Sequence, residues 1–375
     1  MLSPVDDIVG AVRAVVGKGS RRLNWPRITA SDAERVSACV LDPEQGRSYI
    51  ARFERSLSYY TGVDNVVTLS SGTAALHLAL LACGIKPGDE VLVPALTFAA
   101  TANAIVHAGA IPHFVDVRQH DLGISPFKLR QYLGHMDAEH RARIKACIAV
   151  HLLGNPCSIE EIKQLCDYYG IALIEDAAEA LGSTAFINVH CGTLGKAGVL
   201  SFNLNKIVST GGGGALITND TEMAAEVRHL AGQAKLPHPY RWDHDAIGFN
   251  YRMPAMCAAL GIGQLERLPD LLKRKAAVAA RYCRAFQDVL TATPIILPGA
   301  NDWVCCAILD SRCIDARDAV LDALTNEGFE ARALFTPLHT LAHFKHYPRQ
   351  SNTLDGAEDL FRRAICLPST PRDDE

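Results

Sequence analysis

The chain has 375 residues, 37 of them basic and 41 acidic for a formal charge of −4, and 49% are hydrophobic. That length can bury one large core and a smaller one, and the near balance of charge, with no Lys/Arg block, excludes the footprint of nucleic-acid and anionic-membrane binders. No apolar run approaches the roughly 20 residues a spanning helix needs; twelve cysteines scattered from Cys39 to Cys366 without a CxxC predict free thiols in a reducing cytoplasm.

In chain order, residues 6–17 (DDIVGAVRAVVG) predict a short amphipathic helix whose leading acids and Arg13 are unlike a signal peptide. From about 60 to 220, short β-branched or apolar runs alternate with helical segments, the pattern of an α/β, largely parallel sheet with helices on its faces. Seven strands are expected, at 65–69, 90–94, 111–117, 145–151, 171–176, 197–202 and 214–219. Between them lie helices such as 73–83, closed by Gly84 in a left-handed position, and 158–169, with Ser158 as N-cap and Glu161 completing a capping box. Near residue 265 the pattern changes. QLERLPDLLKRKAAVAARYCRAF reads as one long charged helix, followed by strand-like 303–310 and helix-like 316–328. The expected organisation is an N-terminal segment and large domain over 1–264, then a smaller α+β domain over 265–375.

Three segments carry chemistry. Ser70-Ser71-Gly72-Thr73 follows a strand and opens a helix, where unpaired N–H groups suit a phosphate, although on this segment alone helix capping by the hydroxyls is the better reading. The strand of IALIEDAAEALGS (171–183) presents Glu175 and Asp176 at its carboxyl end, where open α/β sheets bind ligands. One carboxylate there could keep a pyridinium nitrogen protonated; the alternative is an acid capping the next helix. In VLSFNLNKIVSTGGGGALITND (199–220), Lys206 sits in an otherwise uncharged segment, unlike a surface lysine, and its amine is suited to Schiff-base chemistry. Gly211–Gly214 reads as a tight backbone turn, since neither GxGxxG opening a helix nor GxxxxGK[ST] is present.

In this order these segments, with PALTFAATANAI, HLLGNP and GFNYRMPAMCAALGIGQLERL, resemble the DegT/DnrJ/EryC1/StrS family of nucleotide-sugar aminotransferases that depend on pyridoxal 5'-phosphate (PLP), over nearly the whole chain. The resemblance implies a fold-type I transferase in which Lys206 holds the cofactor through a Schiff base and shuttles a proton between the substrate carbon and C4'. Asp176 would pair with the pyridinium nitrogen and Phe98 would stack on the ring. Gly72, Thr73 and Ser201 would bind the phosphate, and Asn250 would reach it from the neighbouring subunit of a homodimer. Glu179 stands where the family often has Gln or His near the ring oxygen, a departure found in the branch acting on acetamido-sugars. A second departure is the missing Glu at the start of the glycine run. The implied reaction moves an amino group from an amino acid, glutamate, to a nucleotide-linked 4-keto-6-deoxy sugar, with a 2-acetamido sugar favoured by Glu179, for polysaccharide or glycoconjugate synthesis. A PLP sugar dehydratase would have His in place of Lys206; a non-catalytic binding protein on the same scaffold is the other alternative. His339, His343 and His346, spaced four and three apart, would share one face of a helix as metal ligands do, but Thr336-Pro337-Leu338 before them resembles the family's small-domain segment, so no metal is expected.

Overall fold

The computed structural model describes residues 4–17 and 20–372. Three helices lead in, α1 (Pro4–Val16), α2 (Ala30–Leu41) and α3 (Pro43–Thr61). Strands and helices then alternate: β1 (Asn65–Leu69), α4 (Gly72–Ala82), β2 (Glu90–Pro94), α5 (Ala99–His107), β3 (Ile111–Val115), α6 (Pro126–His135), α7 (Ala138–Arg143), β4 (Ile144–Val150), α8 (Ile159–Tyr169) and β5 (Ala172–Asp176). A short hairpin, β6 (Thr184–Phe186) and β7 (Val189–His190), precedes β8 (Ala197–Ser201), β9 (Gly214–Thr218) and α9 (Thr221–Ala231).

The seven expected strands form one sheet in the order β1-β9-β8-β5-β4-β2-β3. Pairing is parallel from β8 to β3, and β9 alone runs against its neighbours β1 and β8. Parallel strands need helical crossovers, which cover both faces, so both faces must be apolar. Alternation along β4 and β5 does this: Ile148 and Ile174 enter the core on one side, Cys147, Ala149 and Leu173 the core on the other. α4 closes as its sequence predicts, with Gly84 at φ +77° and N–H groups of Gly84 and Ile85 bonded to the carbonyls of Leu81 and Leu80.

Two local expectations fail. Ser158 stands at the N-cap of α8 as expected, but its hydroxyl makes no cap bond and donates instead to Asp121, 2.8 Å away, so no capping box forms. The long charged helix is two helices, α10 (Ala255–Glu266) and α11 (Leu268–Ala285), parted at Arg267. Pro269, in the first turn of α11, has no N–H to donate and its ring displaces the carbonyl a turn earlier, so a continuous helix is excluded.

The remainder contains a four-stranded antiparallel sheet, β10 (Ala292–Ile295), β11 (Cys306–Leu309), β12 (Arg332–Ala333) and β13 (Ala364–Cys366) in the order β10-β11-β13-β12, with α12 (Arg317–Asn326) and α13 (Asp355–Arg363). Ile8, Val12 and Val15 of α1 pack into its core beside Val278, Tyr282, Leu309 and Leu324, so the first helix joins the last elements of the chain. No helix among the described residues is long and apolar enough to cross a membrane, and the twelve cysteines are free thiols.

Candidate active site

The carboxyl ends of β1, β2, β5 and β8 converge at one edge of the sheet. At the end of β1 the chain turns through Ser71, whose hydroxyl accepts from the Ala74 N–H at 3.0 Å and whose carbonyl accepts from Ala75 at 3.1 Å. A helix start leaves four N–H groups unpaired. The Ser71 hydroxyl satisfies that of Ala74, the Ser71 carbonyl takes the first intrahelical bond, and the N–H groups of Gly72 and Thr73 have no acceptor among the described residues. The capping reading is therefore right for Ser71 and leaves two donors for an anion. Gly72 lets Ser201 approach: a Cβ there would stand 3.1 Å from the Ser201 Cβ. Gly214, the first residue of β9, lies against the same turn, where a Cβ would sit 2.5 Å from the Gly72 nitrogen. Gly72, Thr73 and Ser201 are thus brought together.

At the end of β5 the two acids part as strand alternation requires. Glu175 is fully buried, 3.0 Å from a ring nitrogen of His151 and accepting from the N–H groups of Gly192, Leu194 and Gly195 at 2.8, 2.6 and 2.6 Å. Burial opposes its ionisation, yet His151 and these amides hold its carboxyl below the usual value. It fastens the loop before β8. Asp176, 5% exposed, accepts from the Thr101 hydroxyl at 2.8 Å and the Ala178 N–H at 3.1 Å. Burial, aided by the Glu179 charge, pushes its carboxyl up despite these bonds and Lys206. Such an under-compensated buried acid suits a cationic N–H partner.

Lys206 lies in a turn after β8, its N–H bonded to the Asn203 carbonyl at 2.9 Å. Its amine is 3.2 Å from Glu179 Oε1 and 4.0 Å from the centroid of the Trp303 ring. The other oxygen of Glu179 accepts from the Leu153 N–H at 2.8 Å. Phe98 is 59% exposed and touches Phe335 edge-on at 5.8 Å. Asn250 stays apart: it is exposed, its backbone bridges to Gly232, and its side chain makes no hydrogen bond to Gly72, Thr73 or Ser201.

The sequence reading missed Thr101, Trp303 and Asn24. Thr101 follows Phe98 by one helical turn, a spacing that could have flagged it. Trp303 and Asn24 carry no local signal; both donate to the Asn205 carbonyl, at 2.7 and 2.6 Å. The three histidines do not form a helical face, because 338–340 is a 3-10 turn followed by irregular turns. His339 is buried against Glu358 at 3.1 Å, and no metal-ligating group of three occurs among the described residues.

Two N–H donors and a hydroxyl for a phosphate, a buried acid seeking a cation, and an amine whose charge acts on that acid fit a phosphorylated pyridine aldehyde. With the seven-stranded sheet they define a fold-type I PLP enzyme. Residues 30–374 match the DegT/DnrJ/EryC1/StrS aminotransferase family, and the chain belongs to it. It is a PLP-dependent aminotransferase. It is 39% identical to EpsN of Bacillus subtilis over 84% of this chain and 82% of that one. It is 36% identical to the GDP-perosamine synthase of Escherichia coli O157:H7 over 92% of each. A crystal structure of a DegT/DnrJ/EryC1/StrS aminotransferase from Brucella abortus superposes with a TM-score of 0.82 at 30% identity, over 98% of this chain and 94% of that one.

Proposed function

We propose that the chain transfers an amino group from glutamate to the keto carbon of a nucleotide-linked keto-deoxy sugar, working as a cytoplasmic homodimer in polysaccharide or glycoconjugate synthesis. The observation that carries this reading is the half-buried pair of Lys206 and Glu179 with the buried carboxyl of Asp176 and the Gly72 turn packed on Ser201. PLP, when bound, supplies an aldehyde carbon that condenses with amines and a ring that withdraws electrons from it.

The protein's own groups do the rest. Gly72 and Thr73 N–H and the Ser201 hydroxyl would bind phosphate, aided by the positive end of α4. Asp176, oriented by Thr101, would hold a proton on the ring nitrogen. The open face of Phe98 would stack on the ring. Lys206, once released, would carry a proton between the substrate carbon and C4', with Glu179 keeping the amine within reach.

An anionic acceptor is supported by a cavity of about 250 Å³ bordering Lys206, whose wall carries Arg22, Arg27 and Arg274 and, among the described residues, no carboxylate. The name of the GDP-perosamine synthase relative is that of an enzyme making a GDP-linked amino sugar, and Glu179 favours a 2-acetamido sugar among the candidates. Lys206 disfavours a dehydratase.

The test is spectroscopic. Glutamate should bleach the cofactor band of the holoenzyme, and one of a panel of GDP-, UDP- and TDP-linked 4-keto-6-deoxy sugars should restore it. A band indifferent to glutamate would instead fit a binding protein and overturn the reading.

A further inference from the structure

Lys275, on α11, is only 4% exposed. Its ammonium donates to the Trp303 carbonyl at 2.8 Å, the Ser369 carbonyl at 2.7 Å and Asn24 Oδ1. None of these acceptors is charged, and an apolar side chain of similar volume would fill the space without desolvating an ion. What the amine holds is therefore more informative than that it is buried.

Two of its three bonds lead to the Asn205–Lys206 peptide. A lysine has donors only, so Asn24 must turn its oxygen toward Lys275 and its Nδ2 toward the Asn205 carbonyl, 2.6 Å away. Trp303, gripped by its own carbonyl, donates its indole N–H to that same carbonyl at 2.7 Å and lays its ring 4.0 Å from the Lys206 amine. One ammonium thus fixes both donors to the residue before Lys206 and the aromatic face beside its Nζ.

We propose that Lys275 is a positioning residue for Lys206, setting through Asn24 and Trp303 the peptide and the ring that aim the reactive amine. The proposal rests on the reading of Lys206 as the cofactor's lysine. Burial brings the Lys275 amine down to about 7; on losing a proton it keeps two N–H groups for three acceptors, so the same bonds weaken.

The test uses Lys275→Met, similar in length and without donors, reconstituted with PLP. The pH midpoint of the absorbance band of the Lys206-bound cofactor should move by about half a unit or more. The kcat should fall about tenfold while KM for glutamate stays within about twofold. An unchanged midpoint and kcat, whatever the melting temperature, overturn the proposal. Should Lys275→Met fail to fold, Asn24→Ala and Trp303→Phe each remove one donor to the Asn205 carbonyl. The midpoint should then shift in each and further in the double variant, and no shift in the double overturns the proposal. The midpoint needs no sugar, so a wrong acceptor leaves this result standing; a wrong cofactor lysine would show as no band attached to Lys206 in the unmutated protein.

Discussion

Asp176 sets function against stability. Its folded carboxyl lies above the ordinary 3.8 because burial penalises the carboxylate. A group raised in this way gives its full stability below the unfolded value and loses it as pH climbs through the folded one. Above the unfolded value the cofactor-free protein therefore loses stability to this buried acid as pH rises. Asp176→Asn keeps an oxygen for the Ala178 N–H and offers an N–H to Thr101 in place of the bond that the hydroxyl donates. Without cofactor, Asp176→Asn should melt higher than the parent at pH 7, with the gap closing as pH falls toward 3.8. The same change should cost about a hundredfold in kcat. Thermal melts across pH, set beside single-turnover rates, check both halves; a variant that melts lower at pH 7 and keeps its rate contradicts this account.

At the scale of elements, the chain order of strands and helices was readable because β-branched runs are bounded by turn residues such as Lys86-Pro87-Gly88-Asp89 and Gly170. The candidate site was readable for the same reason: Gly72, Asp176, Ser201 and Lys206 each lie just past or at the end of a strand, so a local segment announces them. What escaped is what depends on distant partners. The Ser158 hydroxyl is drawn to Asp121, 37 positions back, and not to the first turn of α8. The break at Arg267 follows from Pro269, a stop that the amphipathic period of the charged run does not itself reveal. Trp303 and Asn24 reach the Asn205 carbonyl from opposite ends of the chain, and no local pattern predicts that meeting. The amphipathic face of α1 was legible; that it would cover the C-terminal sheet was not.

At the scale of the molecule, Asn250 is the residue the single chain leaves unused. It is exposed, next to Tyr251, whose carbonyl accepts from the Ser70 N–H at 2.7 Å, yet its side chain makes no hydrogen bond to Gly72, Thr73 or Ser201, which it is expected to serve. The proposed homodimer, with a site shared across its two-fold axis, would account for this, and subunit mixing tests it. Lys206→Ala and Asn250→Ala homodimers should each be nearly inactive. Random reassortment makes half the dimers hybrid, each with one complete site, so activity should return to about a quarter of the parent. No recovery would mean that each chain completes its own site. All of this depends on one covalent bond, which can be read directly. Borohydride reduction of the purified holoenzyme followed by peptide mapping should place the phosphopyridoxyl mass on Lys206, with none in Lys206→Ala; a label on another lysine, or an equal label in Lys206→Ala, would contradict the account.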